Sequence, residues 1–418
     1  MIDNSFTKLI SLRLLASTLT IGTLLLSHQN DVQALTFNFN FDQKTSTEVR
    51  NGVEEAGRLW GEVLHDDVTV NIDFQFDTLP EGYLGGARPS MLRTNYGDVI
   101  QQFNLDQLSA DDQSAFTHLP THEDSKGNIS VARWINRTKN SFGIWHTDTS
   151  INNLWLTRAN AKALGIVTGD DTAMDAQIRL DSEANWDLNA ADGIGAGQYD
   201  FVGTMLHELG HALGFLSGVD VLDFDAKQGI TRSDKEYDFI TSMDLFRRSS
   251  ATKGRGLIDW TVDYGTEYFS IDDGYDSLAD FTNGSGAILQ SDNFQLSHFK
   301  QEEDSVMRPV LFAGTQTSLS ELDLQLMDVI GWDRAAGSRV SYSSSTIAYS
   351  EENDSFDSAL SWGGRSNTSY NYSYWQKESF YASTAGRASE HQDVPEPGLA
   401  LGIGAIAILG TKAVKKAA

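Results

Sequence analysis

Apolar residues recur at helical spacing through residues 46–64, and the stretch Val68–Phe76 then alternates apolar and polar side chains. The first pattern predicts a helix and the second a half-buried strand. Residues 159–164 suggest another helix and residues 176–181 another strand. The most regular stripe lies further on, where Phe201, Val202, Met205, Leu206 and Leu209 fall on one face of a helix that Asp200 is placed to cap. Gly210 costs that helix stability and calls for a reason, such as the close approach of another backbone. Gly214 permits a sharp turn. Beyond it the apolar runs are short and Gly and Asp are frequent. From Ala335 to Asp393 Ser and Tyr dominate without periodicity, as in a flexible stalk. No internal repeat is present.

The predicted helix carries His207-Glu-Leu-Gly-His211. A spacing of four residues puts both imidazoles on one face, one turn apart, where they can grip a single Zn²⁺. Glu208 adjoins the first of them and can take a proton from a zinc-activated water without being a ligand. The pattern is suited to water attack on a carbonyl, most often that of a peptide bond. An amphipathic helix with packing histidines could also carry HExxH by chance. The apolar stripe argues against that, because it buries the helix with its histidines pointing into the protein.

A hydrolytic zinc site needs a third protein ligand and an open fourth position. Three residues after Gly214 stands Ser217, so the ligand comes from elsewhere. The histidines are His28, His65, His118, His122, His146, His207, His211, His298 and His391. His28 lies in the leader and His391 in a polar tail, so downstream of the helix only His298 falls in patterned sequence. Asp220, nine residues after His211, and Glu236 are the competing carboxylates. With 58 acidic residues in the chain, closeness to the motif says little for either.

His207-Glu-Leu-Gly-His-Ala-Leu-Gly-Phe215, the distant Ser297-His298-Phe299 and the following Met307-Arg-Pro309 together resemble the leishmanolysin-like metzincins. The similarity is closer still to bacterial secreted metalloproteases with a PEP-type C-terminal sorting signal. It spans about Tyr199 to Trp332. The resemblance implies an α+β zincin fold, a mixed sheet and an irregular C-terminal subdomain. It also implies His207, His211 and His298 as zinc ligands, Glu208 as general base, Met307 as a methionine turn beneath the metal, and strand 176–181 as the edge that pairs with extended substrate. The chain departs from leishmanolysin in having no cysteine, so latency by a cysteine switch is unavailable. Tyr264, Tyr268 and Tyr275 are candidate oxyanion donors, and nothing in the spacing selects one.

The two ends bear on location. Lys8 and Arg13 precede the apolar run Leu14–Leu26, and Val32-Gln-Ala34 offers a cleavage site, which reads as a signal peptide over 1–34. Val394-Pro-Glu-Pro-Gly398, the apolar Leu399–Leu409 and Lys412, Lys415 and Lys416 resemble the PEP-type sorting signal over 394–418. The apolar part is short against the roughly twenty residues of a full span. The expected organisation is therefore leader 1–34, zincin-like domain 35–334, stalk 335–393 and sorting tail 394–418. The protein is expected at a bacterial surface or outside the cell, briefly membrane-attached, with a membrane processing protease as a partner. A formal charge of −27 makes nucleic acid a poor partner. Without cysteine, an exported fold relies on its core rather than on disulfides. The acidity leaves room for structural Ca²⁺, with Asp272-Asp273-Gly274 as a candidate that matches no full calcium loop. The expected activity is zinc endopeptidase. The alternatives are a surface or matrix protein with a silent zinc site, and a zinc hydrolase of non-protein amides.

Overall fold

Ser46 opens the first helix by accepting the Val49 amide at 3.3 Å, and α1 runs Thr47–Val63. Its apolar stripe, Val49, Val53, Ala56 and Trp60, is buried, while Arg58 pairs with Glu55 and Glu62 on the outer face. The helix connects two parallel strands, Thr36–Phe41 and Thr69–Asp77, in register from Thr36↔Thr69 to Phe41↔Phe74. The structure, a computed structural model, describes residues 35–334 apart from 81, 137, 140–143, 263–264, 285–291 and 293, together with strand Phe380–Ala385. The leader 1–34, the sorting tail 394–418 and the rest of the stalk lie outside the described residues. Among those described, no helix is long and apolar enough to cross a membrane.

The principal sheet has the strand order Thr36–Phe41, Thr69–Asp77, Ala176–Asp181, Tyr83–Pro89, Phe380–Ala385, Val310–Phe312. The first three run parallel, and Tyr83–Pro89 is antiparallel to Ala176–Asp181. This corrects one expectation. Ala176–Asp181 is not an edge, because it is hydrogen-bonded on both sides, with Ile72↔Ala176 on one and Gly85↔Leu180 on the other. Its Ala176, Ile178 and Leu180 are wholly buried. The next strand out, Tyr83–Pro89, carries Gly85-Gly86 and no alternation, so periodicity did not reveal it as the sheet's continuation.

Six further helices complete the described α-structure: α2 (Tyr96–Leu105), α3 (Ala110–Thr117), α4 (Arg158–Ala163), α5 (Phe201–Leu213), α6 (Val219–Lys227) and α7 (Glu321–Val329). A buried ion pair ties α4 to the sheet. The ammonium of Lys162 meets Asp175 at 2.5 Å and donates to the carbonyls of Thr69 and Asp171, while Asp175 also accepts the Asn71 amide. Each charge thus has the extra hydrogen bonds that burial demands. Between Gly214 and Ser320 no described strand exceeds three residues. Buried side chains there supplement short ladders such as that of Arg247–Arg248 with Tyr268–Phe269. Asp244, for example, accepts the amides of Gly218 and Thr241 and the Ser217 hydroxyl at 2.6–2.9 Å.

The chain then returns to its start. The His65 amide donates to Asp333 at 2.8 Å, and the Asp333 amide donates to Asp66 at 3.0 Å. Burial, and then the neighbouring carboxylates, push Asp66 and Asp106 up to about 8, and burial pushes Asp328 up to about 7. These groups hold protons in the folded chain that the unfolded chain releases near pH 4. Their stabilisation is full below pH 4 and is lost as pH rises through about 7 to 8. Thermal unfolding is therefore expected at a higher temperature at pH 5.5 than at pH 8.5, and Asp66→Asn should flatten that dependence. A midpoint that climbs over the same range would contradict the assignment.

Candidate metal centre

Helix α5 is held at both ends and along its length. Asp200 caps it by accepting the Gly203 amide at 2.9 Å. The indole of Trp60 donates to the Leu206 carbonyl at 3.1 Å, and that of Trp332 to the Leu213 carbonyl at 2.9 Å. His207, Glu208 and His211 are all buried. Gly214 ends the helix at φ +132°, a conformation that favours glycine. The reversal brings the Phe215 carbonyl back to within 2.7 Å of His211 Nδ1.

All three predicted histidines carry the same arrangement. His207 Nδ1 lies 2.8 Å from the Val306 carbonyl, His211 Nδ1 2.7 Å from that of Phe215, and His298 Nδ1 3.2 Å from that of Gln295. A carbonyl only accepts, so each Nδ1 must carry the proton and each Nε2 of a neutral ring is left with a lone pair. Those lone pairs converge. His207 Nε2 is 3.1 Å from His211 Nε2 and 3.3 Å from His298 Nε2. Nitrogen-to-nitrogen hydrogen bonds there would need a doubly protonated ring. Burial opposes this, holding His207 near 4, His211 near 3 and His298 well below the ordinary value, with the neighbouring imidazoles adding to the effect on the last two. A tetrahedral zinc with Zn–N bonds of about 2.0–2.1 Å separates its ligand nitrogens by roughly 3.3 Å. The three imidazoles therefore fit one small cation. Among the described residues this is the only group of three or more His, Cys, Asp or Glu that converges tightly enough to hold one.

The other residues singled out by sequence fall in different places. Asp220 is no part of the triad. Its carboxylate accepts the Leu296 amide at 2.7 Å and the Ser297 hydroxyl, so it fixes the segment that presents His298. Ser297 also accepts the Ser217 amide at 2.8 Å. Glu236 caps the turn at Ser233 near the surface and pairs with Lys139. Tyr264 lies outside the described residues. The Tyr268 hydroxyl donates to the Gly274 carbonyl in its own loop, and Tyr275 is largely exposed. At the calcium candidate, Asp272 accepts the amides of Tyr275 and Asp276 in its own loop, and Asp273 accepts that of Gly256 and pairs with Arg248, so both carboxylates are engaged by the protein itself.

Met307 explains Gly210, and it corrects the reason expected for it. A Cβ at Gly210 would lie 2.4 Å from Met307 Sδ, so a side chain rather than a backbone makes the close approach. Asp323 of α7 holds this turn by accepting the Val306 amide at 3.0 Å and the Ser305 hydroxyl. The same turn thereby aims the Val306 carbonyl at His207. A second glycine, which the sequence analysis missed, sits over the general-base candidate. A Cβ at Gly85 would lie 2.8 Å from Glu208 Oε1 and 2.5 Å from Leu180 Cδ2. Strand Tyr83–Pro89 thus passes directly across Glu208.

No family model, characterised protein or solved structure matches the chain. Removing a partner that orients a metal ligand typically costs 10–100-fold in metal affinity. Asp220→Ala should lower zinc affinity by about that factor, His298→Ala should abolish stoichiometric binding, and Glu236→Ala should leave it unchanged. Competition against a zinc-buffering chelator measures all three. Equal loss in Asp220→Ala and His298→Ala would contradict the division of roles.

Proposed function

We propose that this protein is an exported zinc endopeptidase with a metzincin-like zincin domain. The observation that carries the reading is the convergence of three neutral, buried imidazole nitrogens beside a buried glutamate one residue along the same helix. Three imidazoles without a carboxylate or thiolate form a hydrolytic zinc donor set that leaves a fourth position open, whereas two histidines and a carboxylate would suit non-haem iron. The helix–strand opening, the mixed sheet over α5 and the methionine turn against Gly210 support the zincin comparison. The leader-like and sorting-like ends support export to the cell surface or beyond.

Zinc bound by His207, His211 and His298 would supply a Lewis acid and lower the pKa of its water toward 7. The protein's own part is to keep the imidazoles neutral and fixed, which the three carbonyl contacts do, and to move one proton. That task falls to Glu208, the buried carboxylate next to His207 in the chain and against the glycine strand at Gly85. It takes the proton from the attacking water and returns it to the leaving amine nitrogen, so the peptide C–N bond breaks without releasing an unprotonated amide anion. The absence of a side chain at Gly85 is what admits the carboxylate there, because a Cβ would lie 2.8 Å from its Oε1.

Glu208→Ala is expected to retain one zinc per chain and to lose at least about 100-fold in casein hydrolysis, the scale of a general base. Retained hydrolysis in that variant would overturn the mechanism. Cleavage of peptidoglycan or small amides with no cleavage of protein would move the substrate class, and zinc without any hydrolysis would favour a surface protein with a silent site.

A further inference from the structure

Two short strands flank the metal centre, and a third lies between them. Tyr83–Pro89 crosses Glu208 at Gly85. Val310–Phe312 follows the Met307 turn, and Val310 and Leu311 line a pocket with Thr204, His207, Val306 and Arg308. The chain's own Phe380–Ala385 fills the space between these walls. It pairs antiparallel with the first, Phe380↔Ala87, Tyr381↔Gly86 and Ala382↔Gly85, and parallel with the second, Val310↔Ser383, Leu311↔Thr384 and Phe312↔Ala385. The ladder to the first wall shifts register between Ala382 and Ser383, beside Gly85 and hence beside Glu208. A peptide that crosses a hydrolytic centre with its backbone paired on both sides is held as a substrate would be.

We propose that Tyr83–Pro89 and Val310–Phe312 are the two walls of a groove for an extended peptide, and that Phe380–Ala385 is its intramolecular occupant and excludes substrate until displaced. The segment Phe-Tyr-Ala-Ser-Thr-Ala has no charge and no proline, so each residue has an amide to give to a ladder. The 45 residues from 335 to 379 span up to about 150 Å when extended, ample to return from Arg334 to the groove. Tethering makes the occupation intramolecular, at an effective concentration on the order of millimolar for a short flexible linker and lower for a longer one. Exclusion of substrate rests on the peptidase reading, whereas occupation of the groove does not.

The full chain lacks cysteine, so paired cysteines report the register directly. In an antiparallel ladder close and wide residue pairs alternate, so one of two successive pairs is close enough to cross-link. In metal-free full-length Glu208→Ala protein, Gly86→Cys/Tyr381→Cys or Ala87→Cys/Phe380→Cys should form an intrachain disulfide on dilute oxidation. Gly86→Cys/Ser389→Cys should form it at least tenfold more slowly. Failure of both register pairs, or equal rates in the control, would overturn the occupation. In the zinc-loaded full chain with Glu208 intact, Ala382→Pro removes an amide from the ladder and should raise kcat/KM on an unrelated extended peptide about tenfold or more, mainly through KM. Unchanged kinetics beside a formed disulfide would overturn the exclusion of substrate. A formed disulfide with no hydrolysis by either chain would defeat the peptidase reading and leave the occupied groove standing.

Discussion

A neutral imidazole that gives its Nδ1 proton to a backbone carbonyl has only a lone pair left at Nε2. This molecule buries three such rings with neighbouring Nε2 atoms 3.1–3.3 Å apart. Three lone pairs facing one another in a dry interior repel, and protonation is opposed by burial. The arrangement makes physical sense around a cation, and much of the surrounding fold serves to hold it. Val306, Phe215 and Gln295 supply the carbonyls, and each belongs to a segment fixed by something else. Asp323 fixes the first, the reversal at Gly214 the second, and Asp220 through Leu296 and Ser297 the third.

The same constraint accounts for the small residues of the region. Gly210 admits the Met307 sulfur against α5, and Gly85 lets a strand cross above Glu208. One glycine brings the turn that orients His207 close to the helix, and the other lets the sheet pack directly against the Glu208 carboxylate. The architecture therefore joins an inner strand of the sheet, the helix that carries His207 and His211, and a loop-rich second half at a single point, with the two tryptophans Trp60 and Trp332 tying that helix to the first helix and to the chain's return.

Much of this was legible in the sequence wherever a period or a fixed spacing reports on structure. Helix α1, strand Ala176–Asp181 and helix α5 with its Asp200 cap lie within a residue or so of where apolar spacing put them. The pairing of His207 with His211 follows from helical geometry, and the scarcity of histidine pointed to His298. Long-range partners were not legible. Asp220 is one of 58 acidic residues, and only the structure shows it hydrogen-bonded next to His298 rather than acting as a rival ligand. The sheet's continuation through Tyr83–Pro89 was hidden by two glycines, and Phe380–Ala385 by its place in a segment without periodicity. Strand order depends on which edges find partners, and local composition does not encode that.

Zinc K-edge absorption on the purified, zinc-loaded full chain addresses the central claim most directly. Three imidazole nitrogens and one further light atom, all at about 2.0–2.1 Å, are predicted, with one imidazole lost in His298→Ala. A sulfur scatterer near 2.3 Å, a fourth protein nitrogen closing the site, or an unchanged shell in His298→Ala would contradict the account of an open three-histidine centre.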